Sequence, residues 1–368
     1  MAQQLQTSYQ QARRDFTRAA LKYGYALTPH VLEGLTGPDG EELACDVAIK
    51  PQEGARHAVV TTSGLHGIEG YAGSALQTHW MKTVHARGPV DMIHIHALNP
   101  WGFAWHHRSD QDNVDSNRNF RGDLPALGAN PDYAHYADLI LPEYPTLANK
   151  LQIIWLVASK GLRTMQNIVQ KGQYTHHDGL FYGGAAPSWS RSIWEKIQQD
   201  DLNQYDGIVH IDLHTGLGKK GAMKILHGGA GHDAEFATMK TLWPQENLEA
   251  LGDDRQDNIS ASVTGDIIDS WRPYRQGRNV VAAAFETGSA VRGPLQVFFA
   301  LQADHAAMAR GEKDPVALQW IREGMIDAFI PRDAAFEAAL FENNTRAFKA
   351  AVRNSLTVLP QLKVQQPA

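Results

Sequence analysis

The chain has 368 residues, of which 43% are hydrophobic, 20% charged and 9% aromatic, and its 34 Lys plus Arg against 40 Asp plus Glu leave a net charge of −6. That apolar fraction excludes a disordered chain, and the mild acidity argues against a protein built to hold nucleic acid or an anionic membrane. The longest uninterrupted apolar runs, Ile153 to Ala158 and Val280 to Phe285, are six residues long, far short of a bilayer span.

The chain opens MAQQLQTSYQQARRDF, without the apolar stretch of a secretory signal. An amphipathic helix is predicted over 8–23, followed by β-rich runs at 43–50 and 57–62. The first of these holds the lone Cys45, which can form neither an internal disulfide nor a thiolate metal cluster. Together with the missing signal this points to a reducing, cytoplasmic location. A helix rich in small residues is expected over 70–86, then a strand over 90–98. Residues 99–131 are dense in Asn, Asp, Gly and Pro and read as an irregular loop. From 132 to 200 the pattern is mostly helical, broken by the Gly-rich stretch Gly179 to Pro187. Strands follow at 207–213 and near 222–227, helices at 232–243 and near 262–272, and a fully apolar strand at 278–285. Helices over 294–310 and 333–353 close the chain. No repeat, low-complexity tract or Pro/Ser-rich linker divides it, so one domain over residues 1–368 is expected, with a helical insert at about 132–200. Short apolar strands alternating with helices predict an α/β fold with a mixed, mostly parallel central sheet flanked by helices.

Four of these strands run straight into polar residues at their carboxyl ends. HAVVTT leads to Ser63-Gly-Leu-His66-Gly-Ile-Glu69, HIHAL to Asn99-Pro100, GIVHIDL to His214-Thr215-Gly216, and RNVVAAAF to Glu286-Thr287-Gly288. Open α/β sheets bind ligands beyond the carboxyl ends of their strands, because helices cover both faces. His66 and Glu69 are three apart and face one point if they share a helical turn. Each residue has an ordinary alternative. A lone His-x-x-Glu arises by chance, a strand-end histidine is commonly a hydrogen-bonded structural group, and Glu286 would suit an ion pair with Arg272, Arg275 or Arg278. Taken together, two imidazoles and one carboxylate (His66, Glu69 and His214) make a three-ligand zinc set with an open fourth position, the composition of catalytic sites. Glu286 is then free to act as general base, and Asp212 to orient His214 through its other ring nitrogen. His94, His96 and His210 lie inside strands and read as core residues. His106, His107, His176 and His177 fall in loops, and a second metal near the last two is an open question.

Residues 99–120, NPWGFAWHHRSDQDNVDSNRNF, resemble the zinc carboxypeptidase superfamily, in which an Asn-Pro-x-Gly segment precedes an Arg and then an Asp-x-Asn-Arg-Asn-Phe/Trp segment. The ordered set covers roughly residues 57–290 and is most similar to bacterial carboxypeptidase-like members. The resemblance implies one zinc per chain on His66, Glu69 and His214, with Glu286 as the base. It also implies that Arg108 polarises the scissile carbonyl and that Asn117 and Arg118 hold a substrate carboxylate, a task suited to the planar guanidinium fork. Tyr274, twelve residues before Glu286, is the nearest candidate for the tyrosine that covers the substrate. The implied activity is a metallocarboxypeptidase acting on peptide C-termini. Arg108 and Arg118 are only ten residues apart, however, and this spacing is closer to the aspartoacylase and succinylglutamate desuccinylase branch, which deacylates N-acyl amino acids. A non-catalytic metal or peptide binder would need neither Glu286 nor Arg108. The expected partner is thus a peptide or an N-acyl amino acid, not nucleic acid or membrane, and the sequence leaves the oligomeric state open.

Overall fold

The computed structural model describes residues 5–122, 124, 130–253, 255, 258–261, 263–274 and 278–362. Helix α1 (Tyr9–Lys22) starts at Ser8, whose side chain caps Gln11 N, and buries Ala12, Phe16, Ala19 and Ala20 along one stripe. Strands β1 (Ala26–Thr36), β2 (Glu42–Lys50) and β3 (His57–Thr62) follow, then α2 (Gly70–Thr83), β4 (Val90–His96) and the short α3 (Pro100–Trp105). Three helices, α4 (Pro131–Ile140), α5 (Leu147–Lys160) and α6 (Leu162–Gln170), fill much of the predicted insert. The chain continues through α7 (Trp189–Asp200), β5 (Gly207–Gly216), β6 (Met223–His227), α8 (Ala234–Leu242), β7 (Leu248–Ala250) and β8 (Asn279–Gly288). Helices α9 (Pro294–Ala309), α10 (Pro315–Phe329) and α11 (Ala334–Val358) close it. Among the described residues no helix is long and apolar enough to cross a membrane.

The eight strands form one sheet in the order β1-β2-β4-β3-β5-β8-β6-β7. Its centre, β4-β3-β5-β8, is parallel, while β1-β2, β2-β4 and β8-β6 pair antiparallel. The mixed, mostly parallel sheet expected from the alternation of elements is therefore present. The four strands that end in the polar residues are the four neighbours of this parallel block, so their carboxyl ends lie side by side. The period of two sends alternate residues to opposite faces. Val59, Val209, Ile211, Val281 and Phe285 join the larger core beneath α1, α2, α8 and α11. Val60, Ile208, Val280 and Ala282 join the smaller core, closed by Trp194 and Ile197 of α7 and by Trp271. Helix α7, within the stretch expected as an insert, thus belongs to the cover of the sheet.

Several elements differ from the sequence reading. Strand β1 escaped it because Pro29, Gly34 and a mostly exposed pattern look like a loop, and an edge strand tolerates such residues. The helix expected near 262–272 is a 3-10 segment, Asp269–Tyr274, with Pro273 inside it. Helix α10 was not foreseen, and residues 99–131 contain α3 and a 3-10 turn at Ser116–Arg118.

Candidate active site

The candidate metal-ligand segment is held by backbone packing. After β3 the chain turns at Gly64 in a left-handed conformation (φ +63°), where a Cβ would approach Ala97 Cβ at 2.7 Å. Gly67 then opens the 3-10 turn Gly67–Glu69, and a Cβ on it would lie 2.0 Å from the Gly102 carbonyl carbon. Any side chain at position 67 would collide with the Gly102–Phe103 backbone. The Asn-Pro-x-Gly sequence supplies the other side of the contact. Asn99 caps α3 by accepting from Gly102 N at 2.8 Å, Pro100 takes the first helical position, and Gly102 lies against the turn. Gly67 N donates to Arg108 O (3.1 Å) and Ile68 N to His107 O (2.8 Å), so the ligand turn and the arginine segment move as one unit.

His66, Glu69 and His214 are buried, and each offers a ligand atom within 4.8 Å of the others. His66 Nδ1 lies 2.9 Å from Glu69 Oε1 and His214 Nδ1 3.0 Å from Glu69 Oε2. Both far ring nitrogens meet a carboxylate. His214 Nε2 lies 2.5 Å from Asp212 Oδ2 and His66 Nε2 3.2 Å from Asp115 Oδ1. Two imidazoles whose Nδ1 atoms converge on a carboxylate, each backed at Nε2 by an acid, suit a divalent cation such as zinc. Burial alone would raise the Glu69 pKa, yet His66 and His214 hold it below the ordinary value. Asp115 is likewise held low against its burial, by Arg108 and Arg118.

Glu286 is the register partner of His214 across the β5–β8 ladder, so the two side chains point to the same face beside the ligand group. Its Oε1 accepts from Leu217 N at 2.8 Å. Burial, then the like charge of Glu69, raises its pKa to about 8. None of the ion pairs considered from sequence involves a described arginine, since Arg272 pairs with Asp269 and Arg278 bonds Asn203; Arg275 lies outside the described residues. Arg108 reaches into the cluster, with Nη1 2.9 Å from Glu69 Oε1 and Nη2 2.7 Å from His66 Nε2 and 3.3 Å from Asp115 Oδ2. Arg118 is buried, donating Nε to Gln170 O and Nη1 to Asn117 O, each at 2.9 Å. Asn117 accepts from Ile267 N at 3.0 Å.

His66, Glu69, Arg108, Asn117, Arg118, His214 and Glu286 line one cavity of about 160 Å³ together with Asp212 and Asp266. Its opposite wall is apolar and comes from the insert and α9, including Ile153, Leu156, Met165, Val169 and Phe298. Tyr274 is not among the lining residues. It borders a separate depression with Arg121, Arg191 and Pro273, because its 3-10 segment packs beside Trp271 on the outer side of the smaller core. His176 and His177 also lie off the cavity, and His177 is paired with Asp178. Two residues of the site had no role assigned from sequence. Asp115, in the Asp-x-Asn-Arg stretch, joins His66, Arg108 and Arg118. Phe181, in the Gly-Leu-Phe-Tyr-Gly-Gly loop, lies 5.2 Å below the Arg108 guanidinium and 5.4 Å from that of Arg118. It does so with a left-handed backbone (φ 55°), a strained setting for a bulky residue.

The fold is a carboxypeptidase-like α/β fold. Bovine thrombin-activatable fibrinolysis inhibitor, solved in complex with tick carboxypeptidase inhibitor, is similar over 96% of this chain and 98% of its own, with TM-score 0.51 and 8% identity. Carboxypeptidase A from Helicoverpa armigera matches over 94% and 74%, with TM-score 0.48 and 12% identity. A metallo-carboxypeptidase from Pseudomonas aeruginosa matches over 95% and 69%, with TM-score 0.44 and 9% identity. No curated protein matches the sequence significantly. A family model described as "Protein of unknown function (DUF2817)" matches residues 5–343.

Proposed function

The chain belongs to the DUF2817 family, and we propose that it is a zinc-dependent hydrolase that cleaves an amide bond next to a free carboxylate, releasing C-terminal residues from peptides. The observation that carries this reading is the convergence of His66 Nδ1, His214 Nδ1 and the Glu69 carboxylate beside Glu286. His66, Glu69 and His214 hold one zinc. When bound there, zinc supplies Lewis acidity toward the carbonyl and acidifies a water.

The side chains divide the remaining work. Glu286 takes the proton from the attacking water and delivers a proton to the leaving amine, within a cavity whose burial keeps its carboxyl basic enough for both. Arg108 has no acceptor capacity, so its contact with His66 Nε2 requires the ring proton to be on Nδ1. Once Nδ1 serves as a ligand, Nε2 carries the proton and donates to Asp115, and Arg108 loses that acceptor. Its guanidinium then faces the developing oxyanion in a water-poor site, where a fixed charge acts most strongly. Arg118 and Asn117 anchor the substrate carboxylate at the cavity wall, with Phe181 packed beneath the two guanidiniums. The apolar wall receives the side chain of the departing residue.

A second reading, deacylation of an N-acyl amino acid, is favoured by the ten-residue spacing of the two arginines. Blocked dipeptides and N-acyl amino acids offered side by side, with products identified by mass, separate the two. Metal analysis should find one zinc per chain, and chelation should abolish turnover. Glu286→Gln should lower kcat by about 10²–10⁴ while zinc stays bound. Full activity in metal-stripped protein, or unchanged turnover in this variant, would refute the assignment.

A further inference from the structure

Behind His214 a row of buried polar side chains runs away from the cavity into the smaller core. Thr62 and Asp212 are register partners on β3 and β5, and His210, Asp212 and His214 share one face of β5 by the period of two. His210 lies at the inner end, wholly buried, with Trp194 stacked on it at 4.9 Å and Trp271 edge-on at 5.7 Å. We propose that Trp271 is a positioning residue: acting through His210, it directs the Thr62 hydroxyl onto Asp212, the carboxylate that holds the His214 Nε2 proton and leaves Nδ1 to the metal. This inference rests on the metal-site reading of His214.

The hydrogen bonds along this row have fixed directions. An indole N–H can only donate, and Trp271 Nε1 lies 2.9 Å from His210 Nδ1. His210 Nδ1 therefore accepts. Burial pushes the His210 pKa down to about 4, so the ring is neutral and its single proton is on Nε2. That proton faces Thr62 Oγ1 at 2.9 Å, and the threonine hydroxyl sends its own proton to Asp212 Oδ1 at 2.5 Å. Asp212, with acceptors only when ionised, takes the His214 Nε2 proton on Oδ2 at 2.5 Å. The first group only donates and the last only accepts, so each intervening link has one direction. With the Nε2 proton held by Asp212, Nδ1, 3.0 Å from Glu69 Oε2 on the cavity side, is the nitrogen left for a metal. Without the indole donor, His210 is free to place its proton on Nδ1. Thr62 would then turn its hydroxyl to Nε2, and Asp212 would lose a buried donor and hold His214 less firmly.

Trp194 is the matched control. It covers the same histidine, but its indole N–H donates to Ser270 Oγ at 2.7 Å, outside the chain. The test uses the full chain and its Trp271→Phe, Trp194→Phe and Thr62→Val variants. The readouts are histidine tautomers from long-range ¹H–¹⁵N spectra and zinc Kd by competition with a chromophoric chelator. The parent should carry the His210 proton on Nε2. Trp271→Phe should lose that state and weaken zinc about tenfold, the lower end of effects from groups behind a metal ligand. Trp194→Phe should change neither. Thr62→Val cuts the chain while leaving both indoles packed, and should weaken zinc similarly even if Trp271→Phe fails to fold. A parent His210 protonated on Nδ1, or zinc affinity unmoved in both Trp271→Phe and Thr62→Val, overturns the proposal; so does equal weakening in Trp194→Phe. If the parent binds no zinc, the metal reading fails by itself. Loss of the His210 Nε2 proton in metal-free Trp271→Phe then sustains the chain, and its retention overturns it.

Discussion

Replacing His94 by Leu is expected to make the fold relatively more tolerant of acid. His94 lies in the middle of β4, wholly buried among Tyr25, Trp80 and Phe348, with Nδ1 2.8 Å from Thr61 Oγ1. Burial pushes its pKa from 6.5 down to about 3. The unfolded chain therefore binds a proton below about pH 6.5 that the native ring refuses until about pH 3. The native state loses stability through this group as pH falls through that window, and keeps it above. Between about pH 7.5 and about pH 5.5 the loss is roughly 1.4 kcal/mol for one ring, a sizeable share of a total of about 5–15 kcal/mol. Asp110 and Asp266, both raised to about 7 by burial, act in the opposite sense. The difference between variant and parent isolates the ring from such terms. Urea unfolding at a series of pH values in the presence of EDTA measures it. Whatever the variant costs at neutral pH, its deficit should shrink by roughly 1.4 kcal/mol over the two units. A deficit that stays constant across the series would refute the reasoning.

Three further outcomes follow from the site. Asp115→Asn removes the charge shared by His66, Arg108 and Arg118 and should weaken zinc about 10–100-fold by chelator competition; an unchanged Kd would assign the carboxylate to folding alone. Met165→Trp fills the apolar wall, so kcat/KM for substrates with a bulky apolar residue should fall at least about tenfold relative to an alanine analogue, and equal losses on both would deny that wall a part in selection. Tyr274→Phe should leave kcat within about twofold, a change below 0.5 kcal/mol, because the tyrosine borders a different depression. A large fall in kcat would return it to the substrate.

What the sequence discloses depends on how local the cause is. The runs 57–62, 207–213 and 278–285 are legible because central parallel strands are buried on both faces and need apolar residues throughout. The polar residues after them are legible because the chain must leave the sheet there. Tyr274 is not, since its direction depends on how a proline-containing 3-10 segment packs against Trp271. Asp115 stands in plain view in the motif, but its part comes only from contacts with residues up to 49 positions away. The insert is the hardest case. Helix α5 turns Ile153 and Leu156 inward while Leu151 and Trp155 remain 57% and 70% exposed, so apolar periodicity gives no clue to which side meets the cavity.

The pairing of His214 with Glu286 across adjacent parallel strands has a consequence for how such a protein can change. The spacing between the proposed metal ligand and the proposed base is set by the backbone ladder of the sheet, whereas the proposed substrate wall is built from helices outside that ladder. On the proposed function, alterations in α5 and α6 redirect substrate choice without disturbing the spacing between His214 and Glu286. Laboratory selection for new specificity should accumulate substitutions in α5 and α6 and leave β5 and β8 untouched.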